Sequence, residues 1–218
     1  RNLTRQRSNL IRMADKEVLY MQKAMEQMNI KLSTVLSDIT GLSGRRIITA
    51  ILQGQRNIYE LAALAEPNCK ASQEDIALSL EGTWDVDLLF MLKQSLAAYD
   101  FFLSQVGECD MEIERLLSLY GAQIEAGSAE LIRCKRKNKR SKNAPKMDIE
   151  NFAYQLWGVN VFEIPGLKDT AVMHLIGELG HDFVDKFGSA EKFSSWCNLT
   201  PNNKISGGKI LSSKIMKR

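Results

Sequence analysis

An apolar seam governs the middle of this sequence. Leu89, Leu92, Leu96, Tyr99, Leu103, Val106, Asp110, Ile113, Leu117, Tyr120 and Ile124 follow one another at spacings of three and four residues. That is a heptad pattern. Sustained over about five repeats, it specifies a coiled-coil helix roughly 60 Å long. Such a helix needs a cover for its seam, and three are open: residues 1–32, a second copy of the chain, or both. Asp110 is the one charged residue on the seam, and a residue of this kind fixes register or partner number at some loss of stability. The coil is read as an oligomerisation and spacing device, giving a homodimer or higher oligomer; an intramolecular hairpin with residues 1–32 is the alternative.

The flanking sequence extends the helical reading. Leu3, Leu10, Met21, Met25, Met28 and Leu32 recur at helical spacing without Pro or Gly, so a helix is expected over residues 1–30, continuing toward Asp38 and stopping near Gly41. Ser43 is the expected N-cap of a helix over residues 44–53, closed by Gly54, with a short helix at 58–65 and a loop at Pro67 and Asn68. Beyond the seam, helices are expected at 148–157, 170–179 and 189–197, the last capped by Ser189, with Ile164-Pro165-Gly166 as a turn. The tail 198–218 loses periodicity. The expected fold is therefore mainly α: long coiled-coil helices joined to a small helical C-terminal domain with helix–hairpin–helix-like turns. The boundaries read as 1–126 for the helical coiled-coil region, 127–147 for a basic linker or loop, and 148–218 for the C-terminal domain.

Charge is distributed unevenly along the chain. Residues 1–12, 133–146 and 202–218 hold 17 of the 29 basic residues and none of the 26 acidic ones, although the net charge is only +3. Segregation of this kind marks surfaces for a polyanion on an otherwise acidic body, or else solvated charge runs. The central run contains Arg133, Lys135, Arg136, Lys137, Lys139, Arg140, Lys142 and Lys146. No run of 18 or more apolar residues is present and no leader peptide is read, so no membrane partner is expected and the location is read as cytoplasmic. Cys69, Cys109, Cys134 and Cys197 lack metal-site spacing and read as reduced thiols. His174 and His181 lack a ligand set, and Asp182 and Asp185 read as hydrated or capping residues, so no metal site is expected on this chain. Trp157 and Trp196 read as core anchors rather than base-stacking platforms.

Two segments have the pattern of a helix–hairpin–helix turn: Ile39-Thr40-Gly41-Leu42-Ser43-Gly44 and Ile164-Pro165-Gly166-Leu167-Lys168. A glycine-permitted turn of this type aims helix N-terminal amides at a backbone phosphate, although any short helix connection favours the same residues. The sharpest feature lies in the tail, Asn203-Lys204-Ile205-Ser206-Gly207-Gly208-Lys209, followed by Lys214. A hydroxyl followed by two glycines and flanked by lysines makes a phosphate-friendly loop. An ordinary glycine turn is the bland alternative.

Taken together, Ile164-Pro165-Gly166, Ile176-Gly177-Glu178-Leu179-Gly180, Phe187, Phe193-Ser194-Ser195-Trp196, Leu199-Thr200-Pro201 and Ser206-Gly207-Gly208-Lys209 resemble insertion sequence family one-hundred-and-ten. That family includes the Piv DNA invertases and the bridge-RNA-guided recombinases. Asn29-Ile30-Lys31-Leu32-Ser33 and Ser37-Asp38-Ile39-Thr40-Gly41-Leu42-Ser43-Gly44-Arg45 look like its middle region. Asn198 stands where the family usually has Gly, and Lys168 where many members have a second hairpin Gly. The resemblance implies a two-part DNA transposase or serine recombinase. In it, a RuvC-like domain with four acidic residues (the DEDD set) binds magnesium, and the C-terminal domain supplies Ser206 as nucleophile. The opening residues look like the segment that follows the DEDD domain, so that domain and its magnesium are expected outside this chain, with the chain alone inactive and no cofactor of its own. DNA is the implied partner, with a guide RNA as a further one. Ser206 is the catalytic candidate, and Gly207, Gly208, Lys204, Lys209, Lys214, Lys168, Gly166, Arg133, Lys135, Arg136, Lys137, Lys139 and Arg140 are the phosphate-binding candidates. A non-catalytic coiled-coil nucleic-acid-binding protein is the main competing reading, and a coiled-coil scaffold with no nucleic-acid role is the third.

Overall fold

The computed structural model describes residues 1–121, 140–180 and 182–215. Among them the chain is mainly helical, with ten α-helices and one two-stranded sheet. It divides into two compact units, Asn2–Leu119 and a second comprising Arg1 and Tyr120–Arg218.

In the first unit the seam is covered by the chain itself. Helix α1 (Asn2–Gln27) and helix α6 (Val86–Gly121) run antiparallel. Arg7 near the start of α1 reaches Asp110 late in α6, while Thr83 N donates to Met28 O at the other end (2.8 Å). Leu92, Tyr99, Val106, Ile113 and Leu117 of the seam are buried. Leu89, Leu96 and Leu103 are half-buried and pack on the same core, whereas Tyr120 is exposed and Ile124 lies outside the described residues. Of the three covers that the periodicity left open, residues 1–32 are the one seen. The charged seam residue has a specific role: Asp110 (6% exposed) accepts from Arg7 (1% exposed) at 2.5 and 3.3 Å. A buried ion pair of this kind fixes register, because any slip strands both charges.

Short helices fill the space beside this pair: α2 (Leu32–Val35), α3 (Leu42–Leu52), α4 (Ile58–Ala62) and α5 (Gln73–Ser79). The first helix does not continue toward Asp38. It ends at Gln27, and Asn29 adopts φ 61, a left-handed angle that Asn tolerates and a helix does not. Ser43 is not the N-cap of α3. Gly41 is, and the Ser43 hydroxyl accepts from Glu66 N (2.9 Å) and lies 3.3 Å from Cys69 Sγ. Gly44 is dictated by close approach, since a Cβ there would stand 2.2 Å from the Ile39 carbonyl oxygen. Helix α5 has no apolar period long enough to announce it, but its start is written in Ser72-x-x-Asp75, which forms a capping box.

In the second unit, α7 (Ile149–Trp157) and α8 (Asp169–Leu179) bury Ile149, Ala153, Val172 and Met173 against one another's surroundings, joined through a 3-10 turn at Val161–Glu163. Ile149, Val172 and Met173 each contribute about 1.5–3 kcal/mol when fully buried. Helix α9 (Phe183–Phe187) and α10 (Ala190–Trp196) follow, with Ser189 capping α10 as expected through a bond from Lys192 N. Within the tail, residues 201–215 form regular structure where loss of period was expected. Strands β1 (Pro201–Ser206) and β2 (Lys209–Ile215) form an antiparallel hairpin. The alternating Lys204-Ile205-Ser206 and Lys209-Ile210 around Gly-Gly is the signal for it, a two-residue turn with φ 55 and 76 at Gly207 and Gly208.

Candidate functional site

The hairpin assembles the tail candidates at its tip. Ser206 ends β1 and pairs with Lys209, the first residue of β2, across the turn; Ile205 pairs with Ile210. Cross-strand partners share a face, so Ser206 and Lys209 stand on one face and Ile205 with Ile210 on the other; alternation along β1 puts Lys204 on the Ser206 side, with the register shifting between Lys204 and Ile205, where β2 carries the extra residue Leu211. All these side chains are exposed, so the Ser206 hydroxyl is open to solvent and not sealed in the core. Gly207 and Gly208 leave open space around the turn: a Cβ at either would meet nothing within 4 Å. Sequence reading placed the two lysines beside the serine; the shared face comes from the strand register, which that reading did not include. Lys214 lies on β2 opposite Asn202, its side chain outside the described residues.

The hairpin has a short connection to α10, and Asn198 in that connection adopts φ 58. The turn therefore keeps the left-handed geometry that a glycine would supply, as expected for Asn. Cys197 nearby is a free thiol whose pKa is raised by burial, which fits an inert cysteine.

The second group of candidates sits before α8. Gly166 has φ 92 and is exposed, and Lys168 occupies the N-cap position of α8, exposed, with no side-chain cap bond. The first turn of α8 carries a buried carboxylate, Asp169, 3.4 Å from the Arg140 guanidinium. A carboxylate there already answers the positive end of the helix dipole, and it engages one of the basic candidates. Arg133, Lys135, Arg136, Lys137 and Lys139 of the basic run lie outside the described residues, as do Cys134 and His181.

The first hairpin-like turn is less suited to an anion. Arg45 makes two bonds to the Asp100 carboxylate (2.6 and 2.8 Å), and Arg46 pairs with Glu66. The Asp100 hydrogen bond raises the Arg45 pKa above its ordinary value, so the charge is fixed but internally matched.

A row of rings completes the unit. Trp157, Phe183, Phe193, Phe187 and Trp196 contact in sequence, with centroids 5.3–5.8 Å apart along the chain of contacts through Phe187. Trp157 is an anchor as expected: half-buried, its Nε1 donates to Gly180 O (3.0 Å). Trp196 departs from that expectation, with 45% of its surface exposed.

Among the described residues no three His, Cys, Asp or Glu side chains cluster in a way that would hold a metal ion. Asp182 is bonded to Lys186 (2.7 Å) and Asp185 is exposed on α9. The described residues therefore do not provide a ligand set for the magnesium that the resemblance implies. No helix among them is long and apolar enough to cross a membrane.

Comparison with known proteins finds a likeness within this unit. Residues 160–218 match the family model described as Transposase IS116/IS110/IS902 family. The match takes in the turn before α8, the ring cluster from Phe183 onward and the whole hairpin, and it supports a transposase function with DNA as the material handled. No curated protein and no solved structure matches the chain.

Proposed function

We propose that this chain is part of a DNA transposase that cuts and rejoins strands through a serine–phosphate intermediate on Ser206. The supporting observation is the coincidence of the family match with an exposed hydroxyl that shares one hairpin face with Lys204 and Lys209. In the proposed reaction Ser206 Oγ bonds to the phosphorus as the bond from phosphorus to the leaving sugar oxygen breaks. The hydroxyl loses its proton and the leaving oxygen gains one. The phosphodiester is conserved as a serine ester, which a sugar hydroxyl later attacks to restore the strand. Lys204 and Lys209, with the backbone amides of Gly207 and Gly208, offset the charge on the phosphate oxygens. A serine hydroxyl is a weak nucleophile and needs activation. Residues 192–218 contain no Asp, Glu or His, so the group that takes the proton has to come from elsewhere.

That same lack favours the second reading, a nucleic-acid-binding protein without strand chemistry. The two separate in one experiment. A nicked suicide duplex carrying the element's end, incubated with the full-length protein, is expected to trap a covalent adduct that Ser206→Ala lowers by about a thousandfold or more. Binding is expected to persist in that variant. An adduct that forms undiminished without the hydroxyl removes Ser206 from the role, and no adduct with either protein leaves the binding reading.

Two further contacts belong to the proposal. The basic run 133–146 contacts a nucleic-acid backbone, whether DNA or guide RNA, and replacing four of its lysines and arginines flattens the salt dependence of binding. The first unit joins copies of the chain. Helix α6 carries Phe90 (60% exposed), Phe101 and Leu119 on the side away from its buried seam, separate apolar positions that a second copy could cover.

A further inference from the structure

Trp196 is not explained by packing. Its setting differs from that of the other tryptophan in the ring cluster. Trp157 is half-buried and its indole N–H is satisfied by Gly180 O, whereas Trp196 Nε1 makes no hydrogen bond among the described residues and the ring is exposed. Phe193 lies nearly parallel to the Trp196 ring (17°, centroids 6.4 Å) and Phe187 meets it at 58° (5.4 Å), so two rings hold the indole in place. The remainder of it, 45%, stands in water. A pinned ring with an open surface is a stacking platform in need of a flat partner.

The surrounding charge identifies that partner. Glu191 is the last acidic residue of the chain; from there on the sequence carries Lys192, Lys204, Lys209, Lys214, Lys217 and Arg218. Lys192 is exposed and lies one helical turn before Trp196, four residues apart and so on the same side of α10. An apolar protein surface has no use for an acid-free lysine set, while a strand of nucleotides presents both a flat base and a phosphate. We infer that Trp196 stacks an unpaired nucleobase, with Lys192 on the adjacent phosphate. A base in a duplex keeps its faces against its neighbours, so the ligand is a base outside the stack: a single-stranded or extruded DNA nucleotide, or an unpaired guide-RNA nucleotide. This inference rests on the nucleic-acid reading of the unit but not on Ser206 chemistry.

The test uses the full chain and a short oligothymidylate carrying one fluorescent aminopurine, as DNA, as RNA, and as the fully paired DNA duplex. Stacking on Trp196 is expected to quench the probe in the single strands and not in the duplex. W196L, which keeps an apolar side chain against Phe193, is expected to remove the quenching and weaken single-strand binding about tenfold, the loss of one stack. W196F is expected to retain most of both. Loss with both strands identifies the base itself as the ligand, and loss with the RNA strand alone identifies guide RNA as its source. Quenching and affinity unchanged in W196L overturn the inference while leaving the function proposed above standing; failure of every nucleic acid to bind overturns both. Should W196L not fold, bromouracil in the same strand provides the second measurement. Its photocrosslink in the unaltered chain maps to Trp196 if the inference holds, and to other residues alone if it does not.

Discussion

Two hairpins of this chain, one of helices and one of strands, use their polar residues in opposite ways. In the α1–α6 pair the charged group on the seam is paired internally: Arg7 and Asp110 are buried together and bond through Nε and one terminal nitrogen across 103 residues of sequence, while the other terminal nitrogen of Arg7 has no hydrogen-bond partner among the described residues. In the β1–β2 pair the charged groups are matched by nothing on the hairpin. Lys204 and Lys209 flank an exposed hydroxyl, and Ile205, Ile210 and Leu211 are exposed as well. An isolated two-stranded hairpin is at best marginally stable in water, so the second arrangement is poor as a stability device. The difference teaches where to look for function. Groups that the fold pairs hold the fold, and groups that it leaves to solvent are the ones free to meet a partner.

The strongest way to break this contrast is at the buried pair. Asp110→Ala leaves Arg7 charged and buried without its carboxylate, and is expected to lower the stability of the first unit by about 3–5 kcal/mol in urea unfolding. Replacing both residues by Leu is expected to recover most of that loss, because it is the stranded charge that destabilises. Equal losses in the single and double variants would show that the pair contributes by packing alone and does not fix register.

A second effect, somewhat smaller, sits at Gly44. Gly44→Ala forces a Cβ against the Ile39 backbone, where the nearest atom at 2.2 Å is a carbonyl oxygen that no rotamer change can move. A loss of about 2–3 kcal/mol is expected, with the turn before α3 opening first in hydrogen exchange. A wild-type midpoint for this variant would mean that the turn is looser than the contact requires.

These two sites also mark what the sequence made legible. The seam and Asp110's special status follow from spacing alone, since a heptad is a statement about one helix. Which of the three covers the seam takes does not, because residues 1–32, a second copy, or both satisfy the same apolar pattern; the Arg7–Asp110 pair puts residues 1–32 on the seam and does not bear on a second copy. Ser189 was readable as a cap because its bond is local. Ser43 was misread by the same rule, because its hydroxyl serves Glu66, 23 residues away. The tail was treated as irregular because its alternation spans only a few residues on either side of Gly207-Gly208, too short for a period to stand out. At the site, residue types pointed to Ser206 and its lysines, yet the face they share came only with the register. Nothing local in Phe193-Ser194-Ser195-Trp196 tells a buried tryptophan from one that is 45% exposed.

A third prediction sharpens the comparison from the strand side. Gly207 and Gly208 adopt positive φ, which costs an L-residue with a Cβ roughly 1–2 kcal/mol each. Changing both to Ala is expected to disorder the hairpin tip and abolish any function of Ser206, while the unfolding midpoint of the first unit stays where it was. Asp110→Ala does the reverse, so the pair of variants separates stability from activity. A shared fall in both properties would tie the hairpin to the folding of the first unit.

The smallest effect on stability should come with the clearest effect on binding. Lys204→Ala and Lys209→Ala remove exposed side chains with no role in the core, and each is expected to change stability by less than about 0.5 kcal/mol. If both ammonium groups sit on phosphates, the double variant lowers the slope of log affinity against log salt by about 2 for a duplex, and by somewhat less for a single strand. The register gives this prediction its discriminating control. Ile205→Thr, on the opposite face of the same strand, leaves the slope untouched if the lysine face alone meets the nucleic acid. A slope that falls equally with Ile205→Thr would mean that the hairpin binds as an undifferentiated basic tail, and the division of its two faces would carry no functional meaning.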